Sequence, residues 1–186
     1  MCFLFVVGNL AMSLQQALTL CDASCTDELL RAYKHFQSEK YFDRRLVECL
    51  RQPKTEKAAS WLLKHYLEEG FILDELLVRK TLLTLLQTQL WDTRLHLLQC
   101  LGMLNIETEL AHQLFQKLKL LTADKNKMVR AWAYNGLHEV AKQFPHYKTQ
   151  TWEILSAVAE NEAPSVQARI RKITRLDYYS LQKDCG

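Results

Sequence analysis

Apolar residues recur along most of this chain at the three-and-four spacing of an amphipathic helix, with polar residues between them. The clearest run covers about residues 126 to 144, where Val129, Ala133, Gly136, Leu137, Val140, Ala141 and Phe144 share one stripe. Before it, Leu110, Leu114, Leu118 and Leu121 stand in the same relation; after it come Trp152, Leu155 and Ala159, and then Val166, Ile170 and Ile173. Toward the N terminus Leu97, Cys100, Leu101 and Leu104 keep the stripe, whereas Ala59, Leu62, Leu63, Tyr66 and Leu67 hold it one residue out of phase. Residues 12 to 38 predict one or two further helices, with Leu29, Leu30, Tyr33 and Phe36 placed to cap the open end of a stack.

Punctuation falls between these segments and never inside one, at Pro53, Gly70, Pro145 and Pro164. Gly70 suits the left-handed position that closes a helix, and Pro164 suits a first turn, where its missing donor costs nothing. With only five Gly and three Pro in a sequence rich in Leu, Ala, Gln, Lys and Glu, the chain reads as almost entirely helical. No linker long enough to divide two domains is visible.

A slower period overlies the helical one: Lys57, Arg94, Arg130 and Gln167 mark equivalent points 36 or 37 residues apart. Such a beat is the signature of a repeat array, in which each two-helix unit buries its second face on its neighbour. The stretch from Asp124 to Val140 resembles a HEAT repeat. A Val-Arg pair, Val129-Arg130, ends six residues after an Asp, and small residues and Leu follow at Ala133, Gly136 and Leu137. Asn161, Val166, Gln167 and Ile170 echo the spacing, while residues 51 and 88 are Arg and Thr where the pattern would place Asp.

The resemblance implies an all-α fold, an α-α superhelix or HEAT-like solenoid of the armadillo type. It would comprise about four helix pairs over residues 39–183, after an extension and capping helices in residues 1–38, as one domain overall. It also implies that the Asp and Arg positions form an internal turn clamp, so Arg130 is read first as structure and second as a ligand contact. Ala133 and Gly136 would let neighbouring helices approach closely.

Charge alters this picture only locally. Residues 1 to 110 carry 12 basic and 14 acidic side chains and residues 111 to 186 carry 12 and 7, so the excess of +3 lies in the C-terminal part. A solvated helix face accounts for an asymmetry of this size, and attraction to an anionic partner is the alternative. The six cysteines, Cys2, Cys21, Cys25, Cys49, Cys100 and Cys185, lack the dense spacing of a disulfide scaffold, which places the chain in a reducing cytoplasm. Cys21 and Cys25, four residues apart, have the spacing to share a helix face but not the two further ligands a metal needs.

Residues 1 to 7 are apolar, but the first basic residue is Arg31, so a secretory signal is not expected. That segment is either an upstream start ahead of Met12 or a piece packed on the first helices. No window approaches the roughly 20 apolar residues that cross a bilayer, so no membrane association is expected.

Enzymatic motifs are incomplete. His138-Glu139 begins like a zinc-protease helix, but Lys142 stands where the second histidine belongs, and no Gly-rich phosphate loop or nucleophile elbow occurs. The pairs Glu68-Glu69 and Glu160-x-Glu162 do not face each other on a helix. Trp61, Trp91, Trp132 and Trp152 fall in or at helices, where packing is the ordinary role. Trp91-Asp92-Thr93-Arg94 holds the residue types of the HEAT-like alkylpurine DNA glycosylases, but crowded into four positions, so no catalytic residue is carried over.

The expected function is a scaffold without a cofactor, metal or catalytic site, holding a protein partner on the concave surface lined by the second helix of each pair. Candidate contacts are Lys57, Lys64, Arg94, Arg130, Asn135, Arg171 and Lys172. The alternative is nucleic-acid binding or repair through the basic C-terminal third.

Overall fold

The computed structural model describes residues 6–7, 10–158 and 162–175. These are helical except for loops and two short strands, β1 (Val6–Val7) and β2 (Leu10–Ala11), which pair antiparallel with Val6 opposite Ala11. Ten helices follow: α1 (Leu14–Leu20), α2 (Thr26–Phe36), α3 (Phe42–Leu50), α4 (Glu56–Glu68), α5 (Glu75–Gln87), α6 (Trp91–Cys100), α7 (Thr108–Leu121), α8 (Lys127–Gln143), α9 (Lys148–Val158) and α10 (Pro164–Thr174). Three-residue 3-10 turns at Leu101–Met103 and Pro145–Tyr147 follow α6 and α8. The chain divides into two units, Met1–Thr84 and Leu85–Gly186, with the boundary inside α5.

In the first unit, Ser13 and Gln16 cap α1 reciprocally: the Ser13 hydroxyl accepts from the Gln16 amide, and the Gln16 side chain accepts from the Ser13 amide. Helix α3 packs on α4, α2 on α4, and α1 on α2 and α3. Their apolar faces meet in a core that includes Leu14, Leu29, Phe36, Leu46, Leu50, Leu62 and Leu63. Of the out-of-phase stripe on α4, Ala59, Leu62, Leu63 and Leu67 are buried, and Tyr66 is half-buried between the rings of Phe42 and Phe71. Gly70 closes α4 at φ +91°, the left-handed geometry its position predicted.

The second unit is organised around α8, which packs against α6, α7, α9 and α10. Its predicted limits, 126 and 144, are its two caps: the Asn126 side chain accepts from the Met128 amide, and Phe144 ends the helix. Val129, Ala133, Gly136, Leu137, Val140 and Ala141 are buried as the stripe requires. Ala131, Tyr134 and His138 are buried too, on a face the stripe left polar, because α8 has helices on more than one side. Each fully buried Val or Leu contributes roughly 1.5 to 3 kcal/mol relative to exposure. The Gln143 side chain ties the end of α8 to the preceding connection, accepting from the Ile106 amide at 2.8 Å and donating to the Leu104 carbonyl at 3.0 Å. Leu155, Val166, Ile170 and Ile173 are buried, Trp152 is half-buried, and Ala159 lies outside the described residues.

Gly136 marks the closest approach. A Cβ there would lie 2.7 Å from Cδ2 of Leu118 in α7 and 2.9 Å from Cδ1 of Leu101, both fully buried. Gly136→Leu should therefore overpack this contact by about 1 to 3 kcal/mol, read as a lower denaturation midpoint. A second test concerns His138, whose imidazole is held below its ordinary 6.5 first by burial. The unfolded chain takes up a proton that the folded one resists, so this contribution is whole above the unfolded value and is lost progressively as pH falls below it toward the lowered folded value. Stability should decline as pH falls below the ordinary 6.5, with a shallower slope in His138→Gln, measured by denaturant titration at each pH.

Candidate functional site

Three positions of the 36-to-37-residue beat lie in the second unit, and there they do the same work. At the start of α6, Arg94 donates through Nη2 to the Thr88 carbonyl at 3.2 Å and through Nη1 to Asp124 Oδ2 at 2.6 Å. At the start of α8, Arg130 donates through Nη1 to the Asp124 carbonyl at 2.9 Å, and its Nε and Nη2 grip the Glu162 carboxylate, each at 2.9 Å. In α10 the Gln167 amide donates to the Glu162 carbonyl at 2.8 Å. Each side chain thus reaches back to the turn that opens its own helix, and each arginine also reaches forward to the turn that opens the next equivalent helix.

The turns are built to receive these bonds. Asp124 Oδ1 accepts from the Asn126 amide at 2.8 Å, and Thr88 Oγ1 accepts from the Leu90 amide at 3.2 Å, two residues ahead in both cases. Threonine therefore reproduces the turn that Asp was expected to make at residue 88, and the backbone carbonyl receives the arginine at either residue. Both ion pairs are largely shielded, with side-chain exposures of 13% and 13% for Arg94 and Asp124, and 20% and 11% for Arg130 and Glu162. The Arg130 guanidinium holds the Glu162 carboxyl below the ordinary carboxylate range, and Glu162 in turn raises Arg130. Fork-to-carboxylate bonds of this kind are the strong, geometrically selective ones.

The other predicted contacts separate into groups. In the first unit, Lys57 donates to Ser24 Oγ at 3.1 Å, and Lys64 pairs with Glu68 at 2.7 Å one helical turn on. In the second, Asn135 is half-exposed on α8, and Arg171 and Lys172 are exposed on α10. One repeat apart, Gln99, Asn135 and Lys172 take equivalent places on α6, α8 and α10. Arg171 and Arg175 occupy the places that Leu98 and Gly102 hold after one spacing and Tyr134 and His138 after the next. Leu98, Tyr134 and His138 are buried, whereas Arg171 and Arg175 are exposed.

Sequence reasoning passed over Arg169 and Arg175. The Arg169 guanidinium lies 3.9 Å from the centre of the Trp132 ring, and burial lowers its affinity for its proton. A helical wheel would have found both: Arg169, Arg171, Lys172 and Arg175 span an arc of about 160° opposite Val166, Ile170 and Ile173. It also passed over an apolar surface in the first unit, where Phe71, Ile72 and Leu76 are 48%, 82% and 60% exposed beside Glu68, Asp74 and Glu75.

Other candidate chemistry is absorbed by structure. Glu69 accepts from the Tyr33 hydroxyl and lies 3.4 Å from His65 Nε2, within a run of rings from Trp61 through His65 and Tyr33 to Phe42. Glu139 pairs with Lys142 at 2.8 Å. Cys21, Cys25, Cys49 and Cys100 are free thiols, and burial pushes Cys49 up to about 11. Trp91 is 49% exposed, unlike the packed tryptophan expected there. Among the described residues no cluster of His, Cys, Asp or Glu is arranged for a metal, and no helix is long and apolar enough to cross a membrane. Cys2, Cys185 and Glu160 lie outside the described residues.

Comparison with protein-family models, with curated proteins and with solved structures returned no match.

The clamp predicts a graded mutational response. Asp124→Ala removes the Arg94 partner and the turn acceptor together and should cost about 1.5 to 3 kcal/mol. Asp124→Asn keeps an oxygen for the Asn126 amide and should cost less. A double-mutant cycle of Arg94→Ala with Asp124→Asn, followed by urea denaturation, should show a coupling of about 0.5 to 3 kcal/mol.

Proposed function

We propose that the chain is a non-enzymatic HEAT-like helical-repeat scaffold that holds a protein partner on the surface of its second helices. The observation that carries this reading is the pair of clamps Arg94–Asp124 and Arg130–Glu162. They tie three turns of the second unit at one repeat spacing, with the same backward bond to a turn carbonyl. The packing of α8 on both α6 and α10 supports it, since a solenoid brings each second helix against the next. Free thiols at Cys21, Cys25, Cys49 and Cys100 fit a reducing, cytoplasmic setting.

On this reading Arg94 and Arg130 hold the scaffold, and recognition falls to the row Gln99, Asn135 and Lys172 and to its neighbour Arg171. Nucleic-acid binding, with or without repair of the alkylpurine glycosylase type, is the second reading, and the exposed cations of α10 favour it. The Trp91-Asp92-Thr93-Arg94 segment lends it less support, because Arg94 is engaged by Thr88 and Asp124 and Thr93 is buried.

Affinity capture with the wild-type chain, with Asn135→Arg and with Arg171→Glu/Lys172→Glu tests the proposal, circular dichroism verifying that all three fold. A discrete protein partner should be retained by the wild type and lost from at least one variant. The same partner set on all three would exclude this surface.

A further inference from the structure

Among the described residues, the solvent face of helix α10 carries only positive charge. Between Pro164 and Thr174 there is no acidic residue, and Arg169, Arg171, Lys172 and the following Arg175 fill the arc opposite the buried Val166, Ile170 and Ile173. Several cations elsewhere are matched: Arg45 by Glu39, Lys64 by Glu68, Lys80 by Glu48, Arg94 by Asp124, Arg130 by Glu162 and Lys142 by Glu139. Among the described residues no carboxylate pairs with any of the four cations of α10. Among the described residues Arg171 Nη1 reaches the Gln167 Oε1 at 3.4 Å.

A polar residue of either sign would suffice where a stack of helices presents an outer face to water. Four cations on one helix, none paired with a carboxylate among the described residues, exceed that need, and one of them is already part-desolvated. Arg169 is half-buried with its guanidinium carbon 3.9 Å from the centre of the Trp132 ring, a contact that restrains it, and among the described residues no acceptor engages its N–H groups. An arginine held in this way loses little freedom on meeting a carboxylate, and its fork matches that group in two bonds. We infer that this face of α10 docks an acidic peptide segment of a partner protein, whose carboxylates engage Arg169, Arg171, Lys172 and Arg175.

The inference rests on the partner-binding reading and names the chemistry of the partner. Polypeptide fits the face better than nucleic acid on two counts. From Arg169 to Arg175 the helix rises only about 9 Å, short of the track along which a duplex binder neutralises roughly six to ten phosphates. Trp132, the aromatic at the site, has a face covered by Arg169 and is not a free stacking platform for bases.

The test is fluorescence anisotropy of the full chain with labelled oligoglutamate, and in parallel with labelled single-stranded and duplex DNA of mixed sequence, at low and at physiological salt. Oligoglutamate should bind saturably, weaken as salt rises, and weaken at least about tenfold in Arg171→Glu/Lys172→Glu and measurably in Arg169→Ala. Lys125→Glu/Lys127→Glu, which removes the same charge from outside the arc, should leave it within about twofold. Absence of saturable binding at low salt overturns the inference, as does an equal loss in the Lys125/Lys127 control. Tighter DNA binding sensitive to the Arg171/Lys172 reversal also overturns it and assigns the face to nucleic acid. If oligoglutamate fails while Asn135→Arg still releases a captured protein, the scaffold reading stands and only the acidic-segment assignment falls.

Discussion

A pair of helices has two apolar faces and can bury only one within itself, and this constraint shapes the second unit around α8. The helix is enclosed because it is in the middle: α6 and α10 lie against it, and α7 and α9 complete its surroundings. The close approach at Gly136 allows Leu118 and Leu101 to reach its backbone, and the enclosure drives Tyr134 and His138 out of water although neither belongs to the apolar stripe. Apolar burial supplies the adhesion and has no preferred register of its own. Register comes from the polar layer at the helix starts, where guanidinium forks meet carboxylates and carbonyls in one geometry only.

The two polar layers of the unit therefore have opposite characters. Arg94 and Arg130 are each answered by a carboxylate within the chain, which makes this layer inward-looking. On α10 no carboxylate among the described residues answers the charges, and Arg171, Lys172 and Arg175 face outward. The residue types are the same, and what separates them is whether a carboxylate arrives from the turn of the next equivalent helix.

Much of this was legible in the sequence. The limits of α8, the closing Gly70 and the opening Pro164 follow from local chemistry, because caps and turns depend on few residues close together. The internal role of Arg130 was legible through the spacing of Asp124 and Arg130. Its second partner was not, since Glu162 lies 32 residues on and nothing local announces the pairing. The second buried face of α8 was invisible for the same reason: Tyr134 and His138 become core only through neighbours brought by the fold. Residue 88 misled in another way, because side-chain identity was read where the backbone carbonyl does the accepting. Helix α10 was read residue by residue, and a wheel would have joined Arg169 and Arg175 to Arg171 and Lys172.

Asp124 serves three segments with three different oxygens: Oδ1 shapes its own turn, Oδ2 receives Arg94 of α6, and the carbonyl receives Arg130 of α8. The turn is thus a shared joint, and neither neighbouring helix start can open without disturbing the acceptor used by the other. Cooperativity in the second unit is concentrated at this small polar point as well as being spread over its apolar surfaces. Slow opening motions should then involve the starts of α6 and α8 together, as one unit of local unfolding.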